Sequence, residues 1–190
     1  MTLVRQPDDP QPYLLTLEDF ETLHRTGAFH RHAKVELIEG VILQMNPQKN
    51  RHSFIKSELG FRLAAALKDM NGPLRAVVEP TLTIPPDSAA EPDIAVTSDH
   101  PRDGYMALAT VALLIEVSST TLAFDLSHKA GLYARNGIPE YWVVELDGMR
   151  IHRHWNPRNG AYSDKDEVPL GAIIESVTVS GLQIDTANLA

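Results

Sequence analysis

The chain has 190 residues, 17 Lys+Arg against 25 Asp+Glu for a net charge of −8, and 43% hydrophobic residues, the make-up of a soluble globular protein with one sizeable core. The absence of cysteine excludes disulfides, thiolate zinc sites, iron–sulfur clusters and cysteine nucleophiles. No apolar run approaches the roughly 18 residues a membrane-spanning helix needs, so a cytoplasmic protein with no membrane partner is expected, and the acidic balance argues against indiscriminate adhesion to nucleic acid while leaving room for a local basic cleft or for bound divalent cations.

Residues 1–13 are polar and proline-bearing and read as a loose arm, with residues 14–190 as a single domain. Thr16 is an N-cap candidate ahead of Glu18 and Asp19, and Gly27 closes the short helix that follows. Val35 to Met45 places Val35, Leu37, Val41, Leu43 and Met45 at even spacings around Glu39-Gly40, which predicts a hairpin. From Arg51 to Met70, Ile55, Leu59, Leu63, Ala66, Leu67 and Met70 recur at helical spacing until Asn71-Gly72-Pro73 stops the run. Strands are expected over Leu74 to Ile84 with a break at Pro80, Asp93 to Thr97, and Leu113 to Val117, with Pro85 to Ser88 and Ser98 to Thr110 as connections. A second long helix is expected from about Phe124 to Asn136, then a hairpin of Tyr141 to Glu145 and Met149 to Trp155 around Asp147-Gly148, and short strands near Ile173 and Val177. This order predicts an α/β fold in which helices flank a mixed, largely antiparallel sheet.

Chemistry is signalled by charged residues inside apolar strands. Glu116 interrupts Leu113-Leu114-Ile115-Glu116-Val117, where a strand buried on both faces carries apolar residues. A carboxylate there needs a cation or a network of donors, because burying it unpaired costs several kcal/mol. Asp93 opens the neighbouring β run, and pairing of the two runs brings both carboxylates to one rim of the sheet. Hard divalent ions such as magnesium or manganese take one or two carboxylates plus water and phosphate oxygens, a chemistry that Asp93 and Glu116 fit. Lys129 lies in the following helix, four residues after Asp125, where its ammonium can orient a water and stabilise charge on phosphate.

The ordered set Val35-Glu36-Leu37-Ile38-Glu39-Gly40, His52, Glu91-Pro92-Asp93-Ile94-Ala95-Val96, Ile115-Glu116-Val117-Ser118-Ser119, Lys129 ahead of Leu132-Tyr133, and Gly137-Ile138-Pro139-Glu140-Tyr141-Trp142 resembles the Uma-type restriction endonuclease family of the PD-(D/E)xK nuclease superfamily over roughly residues 14 to 185. The resemblance implies a restriction-endonuclease-like core and Mg2+-dependent cleavage of nucleic acid, with DNA as the substrate and Mn2+ able to substitute. It also implies that Asp93 and Glu116 hold the metal, that the carbonyl of Val117 is a further ligand, and that Glu36 faces the same site. The position two after Glu116 is Ser118, where the superfamily motif has lysine, and Lys129 matches the family's relocated lysine.

Plainer roles compete for several of these residues. Lys129 can form a surface ion pair with Asp125, Glu39 can be a turn residue, and an arginine can neutralise Glu116. His52 and Arg51 at a helix start can meet a phosphate or serve only as helix-start residues. His30 with His32, and His152 with His154, are His-x-His pairs of weak zinc character; Arg150, Arg153 and Arg158 fit a nucleic-acid path or a solvated hairpin; Tyr133, Tyr141 and Trp142 read as core aromatics. Two further readings compete with a nuclease: a catalytically inactive nuclease-like binding or assembly module, motivated by Ser118 and the charge of −8, and a two-carboxylate sugar hydrolase. A homodimer suits cleavage of two strands.

Overall fold

The computed structural model describes residues 11–29 and 34–189; most of the expected arm and the His30–His32 pair lie outside the described residues. Helix α1 (Leu17–Arg25) starts at Thr16 as expected: the Thr16 hydroxyl accepts from the Asp19 N–H, and the Asp19 carboxylate accepts from the Thr16 N–H in return. The first hairpin forms from β1 (Val35–Ile38) and β2 (Val41–Gln44). Its turn places Gly40 at φ +78, where an added Cβ would come within 2.6 Å of the Leu14 Cβ. Helix α2 (Asn50–Asp69) then runs unbroken for 20 residues.

Pro80 separates β3 (Arg75–Val78) from β4 (Leu82–Ile84), as the sequence predicts. Next come β5 (Ser88–Ala90), β6 (Ile94–Thr97), β7 (Met106–Ala107) and β8 (Val111–Ser118). The expected second helix is three segments in series: α3 (Leu122–Phe124), a π-helical turn (Asp125–Lys129) and α4 (Ala130–Arg135). The chain closes with β9 (Glu140–Glu145), β10 (Arg150–Arg158), β11 (Ala161–Pro169), β12 (Ile173–Glu175) and β13 (Gln183–Asp185). No helix among the described residues is long and apolar enough to cross a membrane.

Two expectations change, and one strand appears where the sequence offered no reading. Ser88 begins a strand instead of ending a loop, because Ser88–Ala90 is fully buried between β1 and β4. Val177 is not in a strand; the segment after β12 turns around the buried carboxylate of Glu140. The polar run Ala161–Pro169 is a nine-residue edge strand held to β10 along its length, with Arg150 meeting Glu167 and Arg153 meeting Asp166 across the pair.

The six-stranded sheet has the order β11-β10-β9-β8-β6-β3 and the five-stranded sheet the order β2-β1-β5-β4-β7. β8 and β9 run parallel, joined by the crossover from α3 to α4, while β6 pairs antiparallel with β8 through Ile94↔Ile115 and Ala95↔Leu114. Alternation along β6 and β8 sends Ile94, Val96, Leu113, Ile115 and Val117 against Ile55, Leu59, Leu63 and Leu67 of α2. The opposite face carries Ala95 and Leu114 against Leu82, Ile84, Leu132 and Tyr133. The same alternation assigns Asp93 and Glu116 to that second face, one rung beyond the Ile94–Ile115 pair.

Candidate active site

The two strands bring the carboxylates into contact. The Val117 N–H donates to Asp93 Oδ2 at 2.8 Å, and the Asp93 N–H donates to Glu116 Oε2 at 3.4 Å. Both side chains are buried, Asp93 being 4% and Glu116 5% exposed. From the crossover, Lys129 places its ammonium 2.9 Å from Glu116 Oε1 and 3.1 Å from Glu36 Oε2 on β1. Lys129 is 2% exposed, so it is not one half of a surface pair with Asp125, as the plainer reading held. The π turn explains this: its wider i→i+5 winding buries both Asp125 and Lys129, and such turns concentrate at functional sites. The cation that meets Glu116 is thus Lys129, and the Tyr133 hydroxyl donates to the same oxygen at 3.2 Å.

On the other side, His52 Nε2 lies 3.2 Å from Asp93 Oδ2, Gln48 donates to Asp93 Oδ1 at 3.3 Å, and Lys56 Nζ stands 3.7 Å from that oxygen. Lys56, 6% exposed, also donates to Glu79 at 2.7 Å. These groups line or back a cleft of about 250 Å³ whose wall includes Lys34, Glu36, Lys49, Glu91, Val117 and Asp125.

Buried carboxylates outnumber buried ammonium groups here: Glu36, Asp93, Glu116 and Asp125 face Lys56 and Lys129. Burial, reinforced by Asp93, Asp125 and Glu36 and opposed by Lys129, pushes Glu116 up to about 8. Burial also raises Glu36 and Asp125. Asp93 goes the other way: burial works against its charge, but the contact with His52, the Val117 N–H and the charge of Lys56 hold it below the usual carboxylate range. Lys129, although buried, is held well above its ordinary value by Glu116 and its neighbours, and therefore stays an ammonium. Lys129 hydrogen-bonds to Glu36 Oε1 at 3.3 Å, while the buried Oε2 makes an ion-pair contact with the same ammonium at 3.1 Å and no hydrogen bond.

The structure thus brings Asp93, Glu116, Lys129, Glu36, Val117 and His52 together. It does not bring Arg51, whose guanidinium donates to the Leu146 carbonyl at 2.9 Å and lies 3.8 Å from Asp147, away from the cleft. Ser118 is buried and bonds to Thr121, which in turn donates to Asp125 at 2.7 Å. His152 contacts Glu145 and Glu167 while His154 packs near Tyr141 and Tyr162, so the two imidazoles do not share a ligand. Arg150 and Arg153 are paired with β11 acids, and Arg158 donates to Asn156. Glu39 is an exposed turn residue that meets Arg135.

Sequence reasoning missed Gln48, Lys56 and Glu79. Lys56 flanks the apolar stripe of α2, a position that a lysine with a solvated ammonium also takes, so the sequence alone does not distinguish the two. Tyr133 is a core aromatic as expected, but one whose hydroxyl reaches the site.

The sequence model of the Uma2 family, described as putative restriction endonuclease, matches residues 17–187. No curated protein matches the chain. A solved structure, that of a putative nuclease belonging to DUF820 from Anabaena variabilis ATCC 29413, is similar with a TM-score of 0.66 and 22% identity, over 92% of this chain and 97% of that one. That likeness is one of fold.

Proposed function

Because the chain belongs to the Uma2 family of restriction-endonuclease relatives, we propose that its cleft hydrolyses phosphodiester bonds of nucleic acid, with DNA as the substrate and a divalent cation as the cofactor. The observation that carries this reading is the buried ammonium of Lys129 bridging Glu116 and Glu36 beside Asp93. Lys129 supplies from the crossover helix the charge that Ser118 lacks, which favours an active enzyme over an inactive nuclease-like module.

The donor set fits Mg2+, with Mn2+ as a substitute. The site has an excess of buried carboxylates over buried ammonium groups. Among the described residues no group of three or more His, Asp or Glu side chains forms a ready-made cage. This suits an ion held by two carboxylates, Asp93 and Glu116, with water, substrate oxygens and the Val117 carbonyl completing its shell. When bound, the ion supplies Lewis-acid stabilisation of the phosphoryl charge and a more acidic water.

The chain's own residues do the rest. His52, Lys56 and the Val117 N–H keep Asp93 ionised and aimed into the cleft. Lys129, held protonated, orients the attacking water and stabilises negative charge on phosphorus-bound oxygen; it does not take the water's proton. Glu36, whose carboxyl burial raises above its ordinary value and which lies beside Lys129, is the acceptor for that proton. A two-fold dimer suits cleavage of both strands, and Phe54 and Phe61, 69% and 71% exposed on α2, offer an apolar face for it that light scattering can test.

The test is cleavage of plasmid and single-stranded DNA in Mg2+, Mn2+ or chelator. Metal-dependent products from the wild type, lost in Asp93→Ala and Glu116→Ala with the fold retained, are expected. Equal cleavage by all three proteins eliminates the assignment.

A further inference from the structure

A second concavity, of about 390 Å³, lies at the other end of β6 from Asp93, between the edge strands β3 and β7. Asp93 and Thr97 share a face of β6 and are four residues apart, about 13 Å along the strand. Val77, Pro80 and Met106 give the groove an apolar floor, Tyr105 lies half-buried in its wall, and Arg75 and Arg102 stand at it. The loop that carries Tyr105 is pinned: Asp99 accepts from Arg102 at 2.9 Å, from the Ala107 N–H at 3.0 Å and from the His100 N–H at 2.9 Å. The guanidinium of Arg75, exposed on β3, has no hydrogen-bond or ion-pair partner among the described residues.

One hydrogen bond links the walls of the groove and the acidic cleft. Thr81, in the groove, donates to Glu91 at 3.1 Å; Glu91 lines the cleft and meets Lys34 at 3.3 Å.

We infer that this groove binds an unpaired nucleobase of the strand whose phosphodiester occupies the cleft, with Tyr105 as the stacking face and Arg75 meeting a flanking phosphate. This rests on the nucleic-acid reading of the cleft. A nucleobase has the required chemistry: a flat π-face for the tyrosine ring, apolar contact for the floor, and an attached anion for the unpaired guanidinium. A base inside a duplex is stacked on both faces and cannot enter a concavity, so the preferred substrate is single-stranded or locally opened.

The experiment is fluorescence anisotropy of a labelled twelve-nucleotide oligothymidylate with the full chain in calcium buffer, beside magnesium-dependent cleavage by the same protein. Tyr105→Ala is expected to weaken binding by about 5- to 150-fold, the range for loss of one stacked base, and Tyr105→Phe to bind like the wild type. Single abasic substitutions scanned along the oligonucleotide should weaken wild-type binding at one position and leave Tyr105→Ala indifferent there. Arg75→Glu, on an exposed edge strand, gives a second variant that spares the loop, with binding weakened about tenfold across sequences. Unchanged affinity in Tyr105→Ala or Arg75→Glu overturns the groove; if the wild type still cleaves, the reading of the cleft stands. Tyr105-dependent binding by a wild type that cuts under no divalent metal upholds the groove and removes the catalytic reading.

Discussion

Replacing Glu116 by Gln tests the electrostatics of the cleft while keeping its shape. The folded chain releases the Glu116 proton at about 8, whereas the ordinary value is 4.5. Between those values the native state holds a proton that the unfolded state has lost. The stabilisation from this group is therefore complete below about pH 4.5 and lost as pH rises through about 8. At 1.36 kcal/mol per tenfold change in proton affinity, the gap sets an upper limit of about 5 kcal/mol. Gln mimics the protonated form; the attraction of Lys129 for the carboxylate is already contained in the value of about 8, and relaxation of the site around the ionised form trims the gain. In chelator at pH 8.5, Glu116→Gln should be about 2–4 kcal/mol more stable than the wild type, and at pH 5 the two should agree within about 1 kcal/mol. Urea unfolding at both pH values measures the difference; groups remote from the cleft cancel between the two proteins, while Asp93, Asp125, Glu36 and Lys129, which share the field of Glu116, contribute to it. A variant less stable than the wild type at pH 8.5, or a difference that does not change with pH, refutes the reasoning.

Three further outcomes follow from the same structure. Glu140 is fully buried and accepts from Trp142, Ser176, Val177 and Thr178, so Glu140→Ala should cost about 3–5 kcal/mol in urea unfolding by orphaning those donors, without touching the cleft. His154 is pushed down to about 4 by burial, with His152 and Lys165 adding to the effect. Its contribution to stability is present above about pH 6.5 and falls away as pH drops toward 4; His154→Phe should flatten the wild-type profile there, and an unchanged slope would refute this. Arg51→Ala should leave oligonucleotide affinity within about twofold, since its guanidinium serves the Leu146 carbonyl, whereas His52→Ala should lower cleavage by loosening Asp93; equal effects from the two would contradict their placement.

Much of this architecture was legible because hydrophobic periodicity and turn chemistry agree along the chain. The stripe of Ile55, Leu59, Leu63 and Leu67, the Glu39-Gly40 turn and the break at Pro80 each fix an element that tertiary packing then confirms. Glu116 and Asp93 stood out because a charge in an apolar strand has few explanations, and the pairing of β6 with β8 supplies the one that was expected. What escaped the sequence depends on contacts distant along the chain. β11 buries little and is held by cross-strand charges on β10, so its residues look like a loop. The π turn leaves no periodic mark distinct from that of an α-helix, yet it turns Lys129 inward. Gln48 and Glu79 are polar residues in polar surroundings; only the approach of α2 to the end of β3 makes them partners of Lys56. Arg51 and His52 are neighbours with the same helix-start signal, and the helix phase alone divides them between the hairpin and the cleft.

That Asp93 and Glu116 hold a divalent cation between them is tested most directly by an anomalous-scattering map from crystals grown with manganese. One peak is expected within coordination distance of both carboxylates. A peak elsewhere on the molecule, or none at saturating manganese, would contradict the assignment.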